Sequence, residues 1–264
     1  MDTSTTDTRT TDATMRLDLT GKRAVVTGAS RGIGEATVRQ LDRDGARVAL
    51  VARSADRLEA IAADLSNDPL VVPTDLSDPD APAAIAAEVL EAFGGIDILV
   101  NNAAVERNQP AHRATGEAID ETLFVNLRQP FLLSAAFAKP LFASQGSVVN
   151  VSSTAGTGAA ATQGAYAASK GGLDTLTKNL ANEWADKGVR VNGVAPGLVD
   201  TEMWESTFEK LGEEMVRNTF VKRVPMQRWG TADEIAQVIC FLASDAAAYV
   251  TGQTIKVDGG MTNN

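Results

Sequence analysis

The chain of 264 residues is 44% hydrophobic and carries a formal charge of −10, from 24 Lys and Arg against 34 Asp and Glu. That is enough apolar material for one sizeable core, near the upper end of what a single domain holds. The acidic balance, with no basic block, speaks against nucleic acid and against an anionic membrane surface, since both require clustered Lys and Arg.

Residues 1–14 offer almost nothing to bury and read as a disordered leader, which leaves 15–264 as a single domain. The one cysteine, Cys240, lies in the apolar run Val238-Ile-Cys-Phe-Leu242 and reads as a small core residue, and one cysteine excludes an intrachain disulfide. His112, the one histidine, stands in a polar stretch and reads as a surface residue. These two cannot assemble a zinc site of His and Cys ligands, so no metal is expected. No apolar run approaches the 18 or so residues of a membrane-spanning helix, and the N-terminus lacks the basic-then-apolar order of a signal peptide, so a cytoplasmic location is expected.

From Leu17 onward, short β-rich runs alternate with alanine-rich amphipathic segments, the pattern of βαβ units. Strands are predicted near 23–27, 47–51, 70–72, 97–101, 147–151, 189–194 and 253–257. Helices are predicted near 32–43, 55–65, 80–93, 115–138, 164–186 and 231–243. The strand runs are nearly continuous in apolar residues, as expected of an α/β fold with a parallel sheet of about seven strands covered by helices on both faces. The widest irregular region, 196–230, contains Met203, Trp204, Phe208, Met215 and Phe220. It reads either as a lid over a ligand or as a helical excursion that packs on a partner subunit.

The first strand, Arg23-Ala-Val-Val-Thr27, leads into Gly28-Ala-Ser30-Arg31-Gly32-Ile33-Gly34, after which Glu35-Ala-Thr-Val-Arg-Gln-Leu41 is helical. Glycines between a strand and a helix let backbone N–H groups and the helix N-terminus approach a pyrophosphate closely. The second strand ends in Ala52-Arg53-Ser54. An NAD-selective site would carry an acidic residue there for the ribose 2′-hydroxyl, whereas arginine suits a 2′-phosphate. Ala52 occupies the place of the acid, and Arg53 and Arg31 are candidates to hold the phosphate. NADP(H) is therefore expected over NAD(H).

Between Ser153 and Lys170 the sequence places a hydroxyl, a phenol and an ammonium at spacings that suit proton transfer. Ser153 follows the strand Val148-Val-Asn-Val151, and Tyr166 and Lys170 lie four apart on a helix, hence on one face. A free tyrosine, with a pKa of about 10, is roughly a thousandth ionised at neutral pH. A fixed positive charge at about 4 Å is worth roughly 4 kcal/mol at an effective dielectric of about 20, or about three pKa units, and Lys170 could supply it.

The G-x-x-x-G-x-G turn after Thr27, with Ser153 and Tyr166-x-x-x-Lys170, resembles the short-chain dehydrogenase/reductase family. Within it, the chain is most similar to single-domain members such as 3-oxoacyl-carrier-protein reductases and tropinone-reductase-like enzymes. Thr74-Asp75-Leu76, Asn101-Asn102-Ala103-Ala104, Pro196-Gly197-Leu-Val199-Asp-Thr201 and the tail Tyr249-Val-Thr-Gly252 … Val257-Asp-Gly-Gly260 extend the resemblance over about Leu17 to Gly260. Ala104 departs from the family's Asn-Asn-Ala-Gly.

The resemblance implies a Rossmann-type doubly wound sheet and hydride transfer between a nicotinamide ring and a carbonyl or alcohol carbon. It implies a catalytic tetrad of Asn126, Ser153, Tyr166 and Lys170. In it Tyr166 exchanges the proton, Ser153 bonds the substrate oxygen, Lys170 also holds the nicotinamide ribose, and Asn126 steadies a relay water. It further implies cofactor contacts from the glycine turn and from Asp75, Leu76, Asn102, Ala103, Pro196, Gly197, Val199 and Thr201, and a homotetramer. Candidate substrate residues are Thr154, Ala155, Gln163, Met203 and Trp204, and the lack of a cation set at the carbonyl favours a mostly neutral substrate. The alternatives are an NAD-dependent alcohol, sugar or steroid dehydrogenase of the same family and a non-catalytic dinucleotide sensor. Enoyl reductases of the superfamily space Tyr and Lys more widely.

Overall fold

The computed structural model describes residues 17–158 and 161–263. The expectation of a leader over residues 1–14 lies outside the described residues. Seven strands form one sheet: β1 (Arg23–Thr27), β2 (Arg47–Ala52), β3 (Leu70–Pro73), β4 (Ile98–Asn101), β5 (Ser147–Val151), β6 (Arg190–Pro196) and β7 (Thr254–Val257). All pairings are parallel, in the order β3-β2-β1-β4-β5-β6-β7. The chain builds outward from β1 to β3 and then crosses back to β4, so the order of strand addition reverses between β1 and β4, the switch point at which a parallel sheet opens a crevice at its C-terminal ends.

The helices that position the site are α1 (Gly32–Arg43), α2 (Ala55–Ala62), α3 (Ala81–Phe93), α4 (Gly116–Leu123), α5 (Gln129–Ala136), α6 (Ala138–Ser144), α7 (Gly164–Trp184), α8 (Glu205–Leu211), α9 (Glu213–Val221) and α10 (Ala232–Ala243). Successive strand side chains alternate between two cores. Val25, Val51, Leu99 and Val148 meet Ile85 and Val89 of α3, Leu133 of α5 and Leu173 and Leu180 of α7. Val26, Leu50, Val100 and Val149 meet Val38 and Leu41 of α1 and Ile235 and Ile239 of α10. Cys240 is buried in this second core and His112 is exposed, both as read from sequence. A buried polar chain ties β4, β5 and α7 together: Asn101 Nδ2 donates to Asn150 Oδ1 (2.9 Å), and Asn150 Nδ2 donates to Thr177 Oγ1 (2.8 Å).

Two expectations need correction. The single helix expected over 115–138 is α4, a π-helical turn at Phe124–Arg128, α5, and a break at Phe137. Thr115 caps α4 by accepting from the Ala118 N–H, and Pro130, in the first turn of α5, lacks an N–H donor. The region 196–230 is not irregular. It holds α8 and α9, separated by Gly212 at φ +82°, and Trp204 packs there on Trp229 (4.9 Å between ring centroids), Phe220 (5.4 Å) and Phe208 (6.4 Å).

Candidate active site

The crevice is lined first by the glycine turn. Gly28 and Gly32 have positive φ, the conformation for which glycine is suited. A Cβ on Gly34 would lie 2.1 Å from Gly28 O and 2.6 Å from Asn102 Nδ2, so α1 starts in direct contact with the turn. Thr27 Oγ1 accepts from the N–H groups of Asn102 (3.0 Å) and Ala103 (3.1 Å), and Asn102 Nδ2 donates to Thr27 O (2.9 Å) and Gly28 O (3.2 Å). Asn102 therefore braces the turn with its side chain. No side chain caps α1 at Arg31, which leaves the N–H groups of its first turn to face an anion. This is the donor set that a dinucleotide pyrophosphate requires, and the residues fit it.

The structure gives the following surroundings for other residues expected to contact the cofactor. Gly32 faces the Thr201 methyl, which a Cβ would meet at 3.3 Å, and Gly197 is packed against Asp258 of the C-terminal tail. Val199 is buried and pairs with Gly230 in an isolated bridge. Asp75 is exposed and accepts from the Ser77 N–H, and Gln129, fully buried, donates to the carbonyls of Leu76 and Asp78. Ser30 and Ile33 are half-buried.

At the end of β2 the arginines are arranged differently from expectation. Arg31 Nη1 and Arg57 Nη1 both meet Glu202 Oε2, at 3.2 and 3.0 Å, and hold that carboxyl below the usual range. Arg53 is exposed and joins no ion pair among the described residues. Arg57 and Glu202 escaped the sequence reading: Arg57 lies beyond the strand end, on α2, and Glu202 is 145 residues away along the chain.

The residues expected to transfer the proton follow β5 and open α7. Ser153 follows β5, and its Oγ accepts from the Ala155 N–H (3.1 Å). Tyr166 is buried in the first turn of α7, with the Lys170 ammonium 5.7 Å from its ring centroid. Burial and the charge of Glu106 push the phenol up, and hydrogen bonding with Ser153 only partly offsets them. In this arrangement burial and Glu106 outweigh the lowering expected from Lys170. The ammonium turns to the Val151 carbonyl at 2.7 Å, and burial brings its own pKa down to about 8, with Asp174 opposing the fall.

Asn126, fully buried on the π-helical turn, is bonded within the chain. Its Oδ1 accepts from Val105 N (2.8 Å), and its Nδ2 donates to Val105 O (2.8 Å) and Ser169 Oγ (3.2 Å). It holds the loop after β4 against the residue that precedes Lys170. π-Helical turns are frequent at functional sites.

Of the five expected substrate residues, Thr154 is buried, Ala155 is half-buried beside Ser153, and Gln163 bonds Glu106. Met203 is 49% exposed, and Trp204 belongs to the aromatic cluster of α8 and α9. Among the described residues no helix is long and apolar enough to cross a membrane.

The comparisons agree with this geometry. A family model described as Enoyl-(Acyl carrier protein) reductase matches residues 28–262. The 3-oxoacyl-(acyl-carrier-protein) reductase FabG of Vibrio cholerae serotype O1 is 39% identical over 246 residues, 93% of this chain and 99% of that one. The FabG of Thermotoga maritima is 38% identical over 94% of this chain and 99% of its own length. Among solved structures, a protein assigned as a short-chain alcohol dehydrogenase from Sinorhizobium meliloti 1021 superposes with a TM-score of 0.88 at 36% identity, covering 94% of this chain and 98% of that one. A protein assigned as an NAD(P)-dependent gluconate 5-dehydrogenase from Beutenbergia cavernae, with bound NADP at low occupancy, superposes at 0.87 and 36% identity, covering 94% and 99%. With its doubly wound parallel sheet, its glycine turn at the switch point and Ser153, Tyr166 and Lys170 gathered beside the crevice, the chain belongs to the short-chain dehydrogenase/reductase family of NAD(P)-dependent oxidoreductases.

Proposed function

We propose that the chain, as one cofactor-binding and catalytic unit over residues 15–264, reduces the carbonyl of a mostly neutral small molecule to an alcohol. The observation that carries this direction is the buried phenol of Tyr166. Burial and Glu106 keep it protonated at neutral pH, which suits a donor of a proton to a carbonyl oxygen.

A bound nicotinamide cofactor supplies the hydride. Tyr166 gives its hydroxyl proton to the substrate oxygen, and Ser153 Oγ donates a hydrogen bond to the same oxygen and orients it. Lys170 keeps a cation one helical turn from the phenol, which favours the phenolate left behind. Asn126 fixes the loop and the helix on either side of that cation. The N–H groups of the Gly28–Gly34 turn hold the pyrophosphate, with Thr201, Pro196, Gly197 and Val199 on one side and Asp75, Leu76, Asn102 and Ala103 on the other. Thr154, Ala155, Gln163, Met203 and Trp204 remain the candidates to contact the substrate. Oxidation of NADPH by a panel of neutral ketones tests the reading, and no turnover of any ketone or alcohol with either coenzyme would overturn it.

NADP(H) is favoured over NAD(H), and a cytoplasmic location accords with this reading. Ala52 puts no carboxylate at the end of β2, while Arg31 and Arg57 already converge on one anionic oxygen of Glu202. A 2′-phosphate can take the place of that oxygen, with Arg53, exposed just after β2, as a further candidate. Charge-assisted hydrogen bonds are worth about 1.5–3 kcal/mol each, and a factor of ten corresponds to about 1.4 kcal/mol. The expected result is a preference for NADPH of at least about tenfold in kcat/KM, reduced about tenfold in Arg57→Ala and raised in Glu202→Gln. A parent that prefers NADH, or an Arg57→Ala ratio equal to the parent's, would refute the assignment.

A homotetramer is also proposed. The small residues of α5 and α7 can pack closely across a two-fold axis, and Phe131 on α5 leaves 51% of its surface exposed. Light scattering at micromolar concentration is expected to give four times the chain mass of 27.7 kDa. A monomer would contradict it.

A further inference from the structure

One carboxylate near Tyr166 enters the mechanism above only through its charge, and no substrate contact has been assigned to it. Glu106 lies on the loop after β4, half-buried, and its Oε1 accepts from Gln163 Nε2 at 2.5 Å. Gln163 is the residue immediately before α7, and Tyr166 stands three residues further on. The electrostatic effect of Glu106 on the Tyr166 phenol places its charge close to the reacting group. The same two loops are joined a second time by Gln109 N donating to Thr162 O at 2.9 Å, so the pair stands on a braced rim.

The cation next in sequence does not neutralise this charge. Arg107 is turned away in a two-pronged pair with Glu121, at 2.7 and 2.6 Å. Lys170 is spent on the Val151 carbonyl, and among the described residues Glu106 forms no ion pair. With one Glu106 oxygen taken by Gln163, its other oxygen and Gln163 Oε1 accept no hydrogen bond among the described residues and are left as acceptors.

We infer that Glu106 and Gln163 form a specificity subsite that selects carbonyl substrates bearing hydroxyl donors near the reacting carbon and rejects those bearing a carboxylate there. The inference rests on the carbonyl-reductase reading and adds a substrate class to it, hydroxy ketones and related polyol-derived carbonyls. An anionic group brought beside Glu106 meets like charge, whereas a hydroxyl finds two acceptors.

The test compares kcat/KM for three small ketones with the preferred coenzyme. Dihydroxyacetone bears the donors, butanone bears neither donor nor charge, and acetoacetate bears the carboxylate. The parent is expected to prefer dihydroxyacetone to acetoacetate by at least about a hundredfold, with the larger part in KM. Glu106→Gln, which keeps the shape and removes the charge, should shrink that ratio at least about tenfold. Glu106→Ala, which also frees Gln163, should lower the rate on dihydroxyacetone further. A parent that turns over all three at similar efficiency, or a Glu106→Gln ratio equal to the parent's, overturns the subsite and leaves the reductase reading standing. A protein that turns over none of these and no alcohol overturns both.

Discussion

Tyr166→Phe is expected to lower kcat/KM by about 10²- to 10⁴-fold while coenzyme binding stays within about threefold of the parent. The ring is 8% exposed and packed at the start of α7, so phenylalanine fills the same space and removes only the hydroxyl. Ser153 and Lys170 stay in place, since one is held by the turn after β5 and the other by the Val151 carbonyl. What disappears is the proton donor to the substrate oxygen. Single-turnover measurements of nicotinamide absorbance, alongside fluorescence titration of the coenzyme, separate the two effects. Activity above about a hundredth of the parent would remove Tyr166 from the proton-transfer step.

Gly34→Ala is expected to lower stability by about 3 kcal/mol, at the upper end of the usual cost of overpacking, and to weaken coenzyme binding at least about tenfold. The added methyl would sit 2.1 Å from Gly28 O, a backbone atom, and 2.6 Å from Asn102 Nδ2. Relief requires α1 to move off the glycine turn. That in turn breaks the bonds from Asn102 to Thr27 and Gly28 and carries the first-turn N–H groups away from the pyrophosphate. Gly116→Ala, at a helical position with nothing within 4 Å, serves as the control and should cost nothing. Urea unfolding followed by far-ultraviolet circular dichroism reads both variants. A parent-like midpoint for Gly34→Ala would show that the turn yields more easily than its contacts imply.

Strands and most helices were legible because two cores impose two strict patterns. Strands buried on both faces read as nearly continuous apolar runs, and α1 begins within the glycine turn. The stretch 115–138 misled for a local reason. A π-helical turn adds a residue to one turn without changing composition, so Ala, Leu and Phe on either side of Asn126 read as one helix. The segment 196–230 misled because α8 and α9 are seven and nine residues long and polar, and they are held by aromatic contacts that no short window of sequence reveals. At the site, Ser153, Tyr166, Lys170 and the glycine turn were legible because each lies within a contiguous motif. Arg57, Glu202 and Glu106 were not, because their partners lie 145 and 57 residues away and only the folded chain joins them.

The aromatic cluster of α8 and α9 also determines what light reports about this protein. Of three tryptophans, Trp204 and Trp229 pack on each other outside both cores, and only Trp184 belongs to a core, edge-on to Phe142 at 5.4 Å. Intrinsic emission therefore reports mainly on the wall that flanks the Gly197–Thr201 turn, whereas far-ultraviolet dichroism reports on the sheet and its helices. A wall that packs mainly on itself can loosen below the global transition, so the emission change on heating would precede the loss of ellipticity. The same emission gives an optical handle on ligands that dock against Met203 and Trp204, without any added label.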